Sequence, residues 1–299
     1  MCLPNLFIVG AAKAGTSALY EALSAHPEIF FSSVKEPHYF SLAGPPDFNG
    51  PGDAESINHK AVWRWADYKN LFRGGIGRRY RGEASVSYLY RPTTAARIRD
   101  RCPKAKIIIV LRHPTSRAFS SFVYLRMLGR EPADTFLAAL ADEERRVEAR
   151  WQPLWHYRRM SQYGSQVKEY LDVFGESQVL VLRHEDWIQD DLATLHRICD
   201  FLELNHDLLP SGGVGLRNAS GEPQSAALQN WLNSDGWVKQ LSRSFVPRRL
   251  RRSLRRSLQQ ANLKRARLED ETFLRITKSF HGDVQVLEDL LGWDLQQWR

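Results

Sequence analysis

Leu6-Phe7-Ile8-Val9-Gly10-Ala11-Ala12-Lys13-Ala14-Gly15-Thr16-Ser17 carries the fold decision. Four apolar residues read as a short buried strand, and a helical pattern runs on from Thr16 to about Ala25, where His26-Pro27 stops it. Between them, Gly10 and Gly15 are spaced as in a phosphate-binding P-loop, and hydroxyl residues follow. Small residues let backbone N–H groups turn inward around a phosphate, and the positive end of the following helix adds to the attraction. The nucleotide-triphosphatase form of this loop needs Lys directly after the second Gly. Thr16 stands there instead, and the lysine is Lys13, three residues earlier.

Other apolar runs extend the pattern on both sides. Ile29-Phe30-Phe31 is a candidate second strand. Lys106 to Leu111 is the clearest strand, with a helix opening near Pro114, and Gln178 to Leu182 is a further run. Helical patterns occupy about Ser165–Phe174 and Leu192–Leu202, and Asp134–Arg159 also reads as helical. Strands that are apolar throughout, separated by helices, imply a parallel sheet covered on both faces. The expected fold class is α/β: a P-loop-containing three-layer α/β/α arrangement with a central parallel sheet and a helical C-terminal portion. No convincing linker divides the chain, so one domain over residues 1–299 is expected. In Mg²⁺-dependent P-loop enzymes a later strand ends in Asp. Here the strongest strand runs into Arg112-His113-Pro114, which suits a second phosphate and implies an anionic nucleotide bound without a metal.

These residues resemble the sulfotransferases that use 3′-phosphoadenosine 5′-phosphosulfate (PAPS), in particular bacterial members related to heparan sulfate sulfotransferases. Three blocks carry the resemblance: Phe7–Leu19, similar to the family's 5′-phosphosulfate loop; His26-Pro27 with Lys35-Glu36-Pro37-His38-Tyr39-Phe40; and Ile107–Leu111 with Arg112-His113-Pro114 and Ser120, similar to the 3′-phosphate block. Gly82-Glu83-Ala84-Ser85 with Tyr88-Leu89, the region from Tyr163-Gly164 to Glu185, and Leu287–Trp298 match more weakly.

The resemblance implies metal-independent, in-line transfer of a sulfuryl group from PAPS, leaving adenosine 3′,5′-bisphosphate. A cation must meet the leaving oxygen and a base the attacking atom. Lys13 would meet the leaving oxygen, while Ala14, Gly15, Thr16 and Ser17 would hold the 5′-phosphate. Arg112 and Ser120 would bind the 3′-phosphate. Glu36 is the candidate general base. His38, aimed to the same side if the segment is extended, would hydrogen-bond the acceptor or replace Glu36 as base, since cytosolic relatives use a histidine. Tyr163 is a candidate for the cofactor pocket or an ordinary core tyrosine. Arg217 and Asn218 lie in a segment where relatives close a polar loop over the nucleotide; Gln224 follows Pro223 where relatives often carry Arg, and Arg217 would compensate. A phosphotransferase with an altered P-loop and a noncatalytic anion-binding module are the alternatives.

The acceptor is expected to be a carbohydrate or small molecule offering a hydroxyl or amine. Its pocket should be shaped by Leu42–Lys60 and Met127–Met160, where Trp151, Trp155, His156 and Tyr157 would either stack on a ring or pack a helix. The 299 residues carry a net charge of +8, concentrated between Lys239 and Arg267, which holds eleven Lys or Arg and no Asp or Glu, leaving −3 for the rest. This stretch is either a solvated helical face or a peripheral contact for an anionic surface. Signatures of nucleic-acid binding are missing, so no nucleic-acid partner is expected. Three scattered cysteines, no apolar run of membrane-spanning length and no secretory pattern at Met1–Asn5 lead to the expectation of a cytoplasmic enzyme with reduced thiols. The sequence leaves the oligomeric state open.

Overall fold

Leu6–Gly10 forms β1, and all five of its residues are buried. A strand so apolar needs cover on both faces and neighbours on both edges, and it has them. β1 is the centre of a five-stranded parallel sheet of order β2-β3-β1-β4-β5, in which β2 is Ile29–Phe31, β3 Tyr80–Ala84, β4 Lys106–Leu111 and β5 Val179–Arg183. Leu6 lies in register with Gly82 on one side and Lys106 on the other. The sheet is flanked by helices, giving the expected three-layer α/β/α architecture. The computed structural model describes residues 3–209 and 267–299, with the backbone of Glu222–Pro223 and Leu263–Lys264, which pair antiparallel. Arg217, Asn218 and the basic stretch lie outside the described residues, apart from the backbone of 263–264 and from Arg267, which pairs with Asp270 at 3.1 Å.

Helices connect the strands. α1 (Thr16–Ser24) leaves the phosphate loop, and α2 (Trp65–Asn70) precedes β3. α3 (Ser87–Tyr90) and α4 (Thr94–Arg101) lead to β4. α5 (Pro114–Met127) begins with a proline whose missing N–H costs nothing in a first turn. α6 (Phe136–Ala141) and α7 (Glu143–Glu148) are short, and α8 (Tyr163–Phe174) leads into β5. α9 (His184–Gln189) and α10 (Asp191–Leu202) follow, and α11 (Asp270–Lys278) and α12 (His281–Leu291) close the chain.

The region 134–159 is less helical than its sequence suggests. Only α6, α7 and two 3₁₀ turns form, because Arg150 takes a left-handed φ of 58° and Pro153 opens the next turn. Trp155 and Tyr157 are fully buried there, and His156 and Trp151 nearly so, so these four rings are packing residues. Arg146 lies between them as a buried cation, held by Glu131 at 2.7 Å and Asp142 at 2.9 Å. Asp53 ties this region to the preceding variable loop. It is fully buried and accepts from Gly50 N–H, Gln152 N–H and the Gln152 amide within 2.9 Å. The segments 42–60 and 127–160 therefore form one joined wall.

The C-terminal helices fasten the far end of the site. Asp283 of α12 accepts from the first N–H groups of α8, Tyr163 at 2.6 Å and Gly164 at 3.0 Å. Such a carboxylate satisfies donors that a helix start leaves open.

Candidate active site

All five parallel strands point their carboxyl ends to one edge, where ligands of open α/β sheets bind. The segments leaving that edge carry most of the expected site residues: 11–17 after β1, 32–38 after β2, 85–88 after β3, 112–120 after β4 and 184–187 after β5.

The phosphate loop is tightly backed. Gly15 has φ 91°, a left-handed conformation that side chains resist, and a Cβ there would stand 3.1 Å from His184 Nδ1 and 3.3 Å from Trp187 Cδ1. Thr16 is buried at the start of α1, while Ser17 is half-buried. Neither residue caps the helix through its side chain, because Gly15 occupies the cap position. The first N–H groups of α1 thus have no side-chain acceptor from the cap, which suits an incoming anion.

Lys13 also takes a left-handed φ, 67°, and its ammonium lies 4.1 Å over the ring of Tyr124 on α5. Burial, helped by the nearby Arg112 guanidinium, lowers its pKa to about 8, against an opposing pull from Glu36. Arg112, at the end of β4, donates from Nη1 to the Lys13 carbonyl at 3.0 Å. Its own carbonyl accepts from the hydroxyl of the fully buried Tyr163 at 2.9 Å. Tyr163 therefore sits behind Arg112 and holds its backbone. Ser120 lies half-buried on α5, two turns beyond Arg112.

Glu36 and His38 are brought together, though not by an extended segment. Each has a left-handed φ, 60° and 59°, on either side of Pro37, and the resulting turn places His38 Nε2 3.5 Å from Glu36 Oε2. Lys35 Nζ lies 2.9 Å from the other carboxylate oxygen. Burial works to raise the Glu36 pKa, but Lys35, His38 and Lys13 together leave it below the ordinary value. Burial lowers the pKa of His38, with Glu36 opposing. The His38 Nδ1 meets Ser87 Oγ at 2.7 Å, and Ser87 Oγ meets Ser41 Oγ at 2.8 Å. Among the described residues, six other than glycine have positive φ, and Lys13, Glu36 and His38 are three of them. Left-handed backbone costs about 1–2 kcal/mol at a residue with a Cβ, and such strain gathers where chemistry is done.

The Sulfotransferase family profile matches residues 4–207. The chain belongs to the sulfotransferase family. A solved sulfotransferase from Alicyclobacillus acidocaldarius superimposes with a TM-score of 0.79 at 36% identity, covering all of both chains. Carbohydrate sulfotransferase 15 of Rattus norvegicus is 25% identical over 257 residues, covering 68% of this sulfotransferase and 44% of the relative. Heparan sulfate glucosamine 3-O-sulfotransferase 3B1 of Homo sapiens is 27% identical over 205 residues, with 68% and 46% covered. The sulfotransferase thus spans about half the length of the curated relatives it matches. The phosphotransferase and noncatalytic alternatives are not favoured.

Several residues that shape this sulfotransferase's site were missed in the sequence. Arg117, one turn into α5, is fully buried; it donates to Ser161 Oγ at 2.5 Å, the Tyr157 carbonyl at 2.5 Å and Ser121 Oγ at 3.2 Å, and the nearby Glu143 carboxylate favours its charge. Its charge adds to that of Arg112 in depressing Lys13. His184 and Trp187 stand against Gly15, and His184 Nδ1 and Trp187 Nε1 are buried with no hydrogen-bond partner among the described residues. Unsatisfied buried polar atoms are costly, and their position beside the phosphate loop fits a polar nucleotide. The Arg-His-Pro-x-x-Arg spacing could have pointed to Arg117; His184 and Trp187 carry no local signal, since only the β5 crossover brings them to the loop.

Proposed function

We propose that this sulfotransferase moves the sulfuryl group of PAPS, without a metal, to a hydroxyl of a carbohydrate acceptor. In this reading the loop from Ala14 to Ser17 holds the 5′-phosphate, and Arg112 with Ser120 takes the 3′-phosphate. Lys13 neutralises the charge that grows on the leaving phosphate oxygen, and Glu36 accepts the proton of the attacking hydroxyl as the S–O bond forms. His38 steadies Glu36 and the acceptor hydroxyl.

The observation that carries the reading is that the segments leaving β1 and β2 bring Lys13 and Glu36 to the same edge of the parallel sheet. One group is cationic and the other anionic, each alters the other's protonation, and both stand where β1 and β2 leave the sheet. Opposite charges at one edge of the sheet suit an in-line transfer, with the leaving group at one and the nucleophile at the other. A depressed carboxyl pKa keeps Glu36 ionised and ready to accept a proton at neutral pH. Carbohydrate is favoured by two of the relatives, carbohydrate sulfotransferase 15 and heparan sulfate glucosamine 3-O-sulfotransferase 3B1.

The test is incubation with ³⁵S-labelled PAPS and separate acceptors: desulfated heparin, chondroitin, chito-oligosaccharides and p-nitrophenol, with a chelator present. Label on a glycan, with a mass increase of one SO₃ group, supports the reading. Label only on p-nitrophenol refutes the carbohydrate acceptor, and loss of all transfer with the chelator refutes metal independence.

A further inference from the structure

Behind the Glu36–His38 turn lies a carboxylate that the proposed chemistry does not use. Glu83 of β3 is fully buried, paired in register with Phe7 of β1. It accepts three hydroxyl hydrogen bonds, from Tyr68 at 2.5 Å, Tyr88 at 2.8 Å and Ser85 at 2.9 Å. Burial raises the Glu83 pKa to about 7, with the three hydroxyls pulling it down; in its ionised form the carboxylate can only accept, so it directs all three hydroxyl hydrogens toward itself. That leaves the hydroxyl oxygens open as acceptors on their outer sides. Two of them are used: Ser85 Oγ accepts the backbone N–H of His38 at 3.1 Å, and Tyr88 OH accepts that of Phe40 at 3.1 Å. A third backbone donor, Glu36 N–H, goes to the carbonyl of Ala84, the residue next to Glu83, at 3.0 Å.

We infer that Glu83 is a positioning residue that holds the Glu36–His38 pair in its working geometry through Ser85 and Tyr88. The backbone at 36 and 38 is in a conformation that side-chain-bearing residues avoid, so it needs fixed partners to persist. The donors of residues 36, 38 and 40 dock on the segment 84–88, and Glu83 sets the orientation of the two hydroxyls that receive the latter two. Tyr68 donates to the same carboxylate oxygen as Tyr88, but among the described residues its hydroxyl accepts no backbone N–H, which makes it an internal control. The inference rests on the reading of Glu36 and His38 as the groups that handle the acceptor proton.

The test compares Glu83→Gln, Ser85→Ala, Tyr88→Phe and Tyr68→Phe in the full chain. Three quantities are measured: PAPS turnover with desulfated heparin, affinity for adenosine 3′,5′-bisphosphate, and the ring resonance of His38 by NMR, assigned with His38→Gln. Misplacement of a reacting group by about 1 Å costs up to about a hundredfold. Ser85→Ala and Tyr88→Phe should therefore lower kcat by about tenfold to a hundredfold, with nucleotide affinity within about twofold of the parent. Both should move the His38 resonance, and Glu83→Gln, if it folds, should do the same. Tyr68→Phe should lower the melting temperature yet leave kcat and the His38 resonance in place. The inference is overturned if Ser85→Ala and Tyr88→Phe leave the His38 resonance unmoved, or if Tyr68→Phe disturbs it equally. The resonance needs no acceptor, so it decides the inference even where Glu36→Gln shows that Glu36 is not the base.

Discussion

The guanidinium of Arg112 donates to the backbone carbonyl of Lys13 across 3.0 Å, tying the end of β4 to the phosphate loop. The cation expected at the 3′-phosphate is thereby tied to the backbone of the loop expected at the 5′-phosphate before the nucleotide arrives. Arg112→Ala should weaken adenosine 3′,5′-bisphosphate by at least about tenfold, since charge-assisted hydrogen bonds contribute about 1.5–3 kcal/mol. Adenosine 5′-phosphate, without the 3′-phosphate, should be weakened less. Calorimetry on both ligands checks this, and equal losses would remove Arg112 from the 3′-phosphate.

Lys13 gives a pH signature. Its ammonium is the form that can neutralise a leaving oxygen, and burial beside Arg112 lowers its pKa to about 8. The value of kcat/KM for PAPS, which reports the free enzyme, should fall about tenfold per pH unit above that point. Lys13→Arg keeps a charge that does not titrate there, so its profile should stay flat to pH 10 at a reduced rate.

The same burial bears on stability. Between about 8 and the ordinary lysine value of 10.5, the unfolded chain holds a proton that the folded chain has lost. Stability linked to this group therefore rises with pH through that window, and the cost of burying the charge is felt in full below it. Lys13→Met should raise the melting temperature at pH 7, by about 1–2 °C for each kcal/mol recovered, while abolishing transfer. The gain should shrink toward pH 10. Thermal melts at the two pH values test the sign.

Asp53 offers a test away from the nucleotide. Asp53→Ala strands the Gly50 and Gln152 donors and should destabilise the fold by on the order of 2–3 kcal/mol. It should also raise the acceptor KM, because the 42–60 and 127–160 segments lose their tie, while affinity for adenosine 3′,5′-bisphosphate stays within about twofold. Denaturant melts and acceptor titrations separate the two effects.

The sheet was legible wherever a strand was apolar throughout. β2 and β4 form at the residues the sequence marked, β1 runs one residue further, to Gly10, and β5 lies one residue later. β3, Tyr-Arg-Gly-Glu-Ala, has no apolar run, and the sequence touched it only through the weaker family match at Gly82–Ser85. Its polar centre is the buried Glu83, whose three hydroxyl partners come from residues 68, 85 and 88, a constellation no local pattern reveals. The phosphate loop was readable because a backbone turn dictates its glycines. The Glu36–His38 contact was expected for a different reason, strand alternation; a left-handed turn made by backbone docking produces it instead. His184 and Trp187 reach the loop through the sheet crossover, and sequence spacing carries no trace of that.

The most direct measurement is the turnover of Glu36→Gln at saturating PAPS and acceptor, made alongside His38→Ala and nucleotide binding. Gln keeps the size and hydrogen bonding of Glu36 but cannot take up the proton. General-base catalysis contributes about 10²–10⁴-fold, so kcat should fall by that factor while affinity for adenosine 3′,5′-bisphosphate hardly changes. Near-normal turnover in Glu36→Gln, with His38→Ala inactive, would make His38 the base and contradict the account.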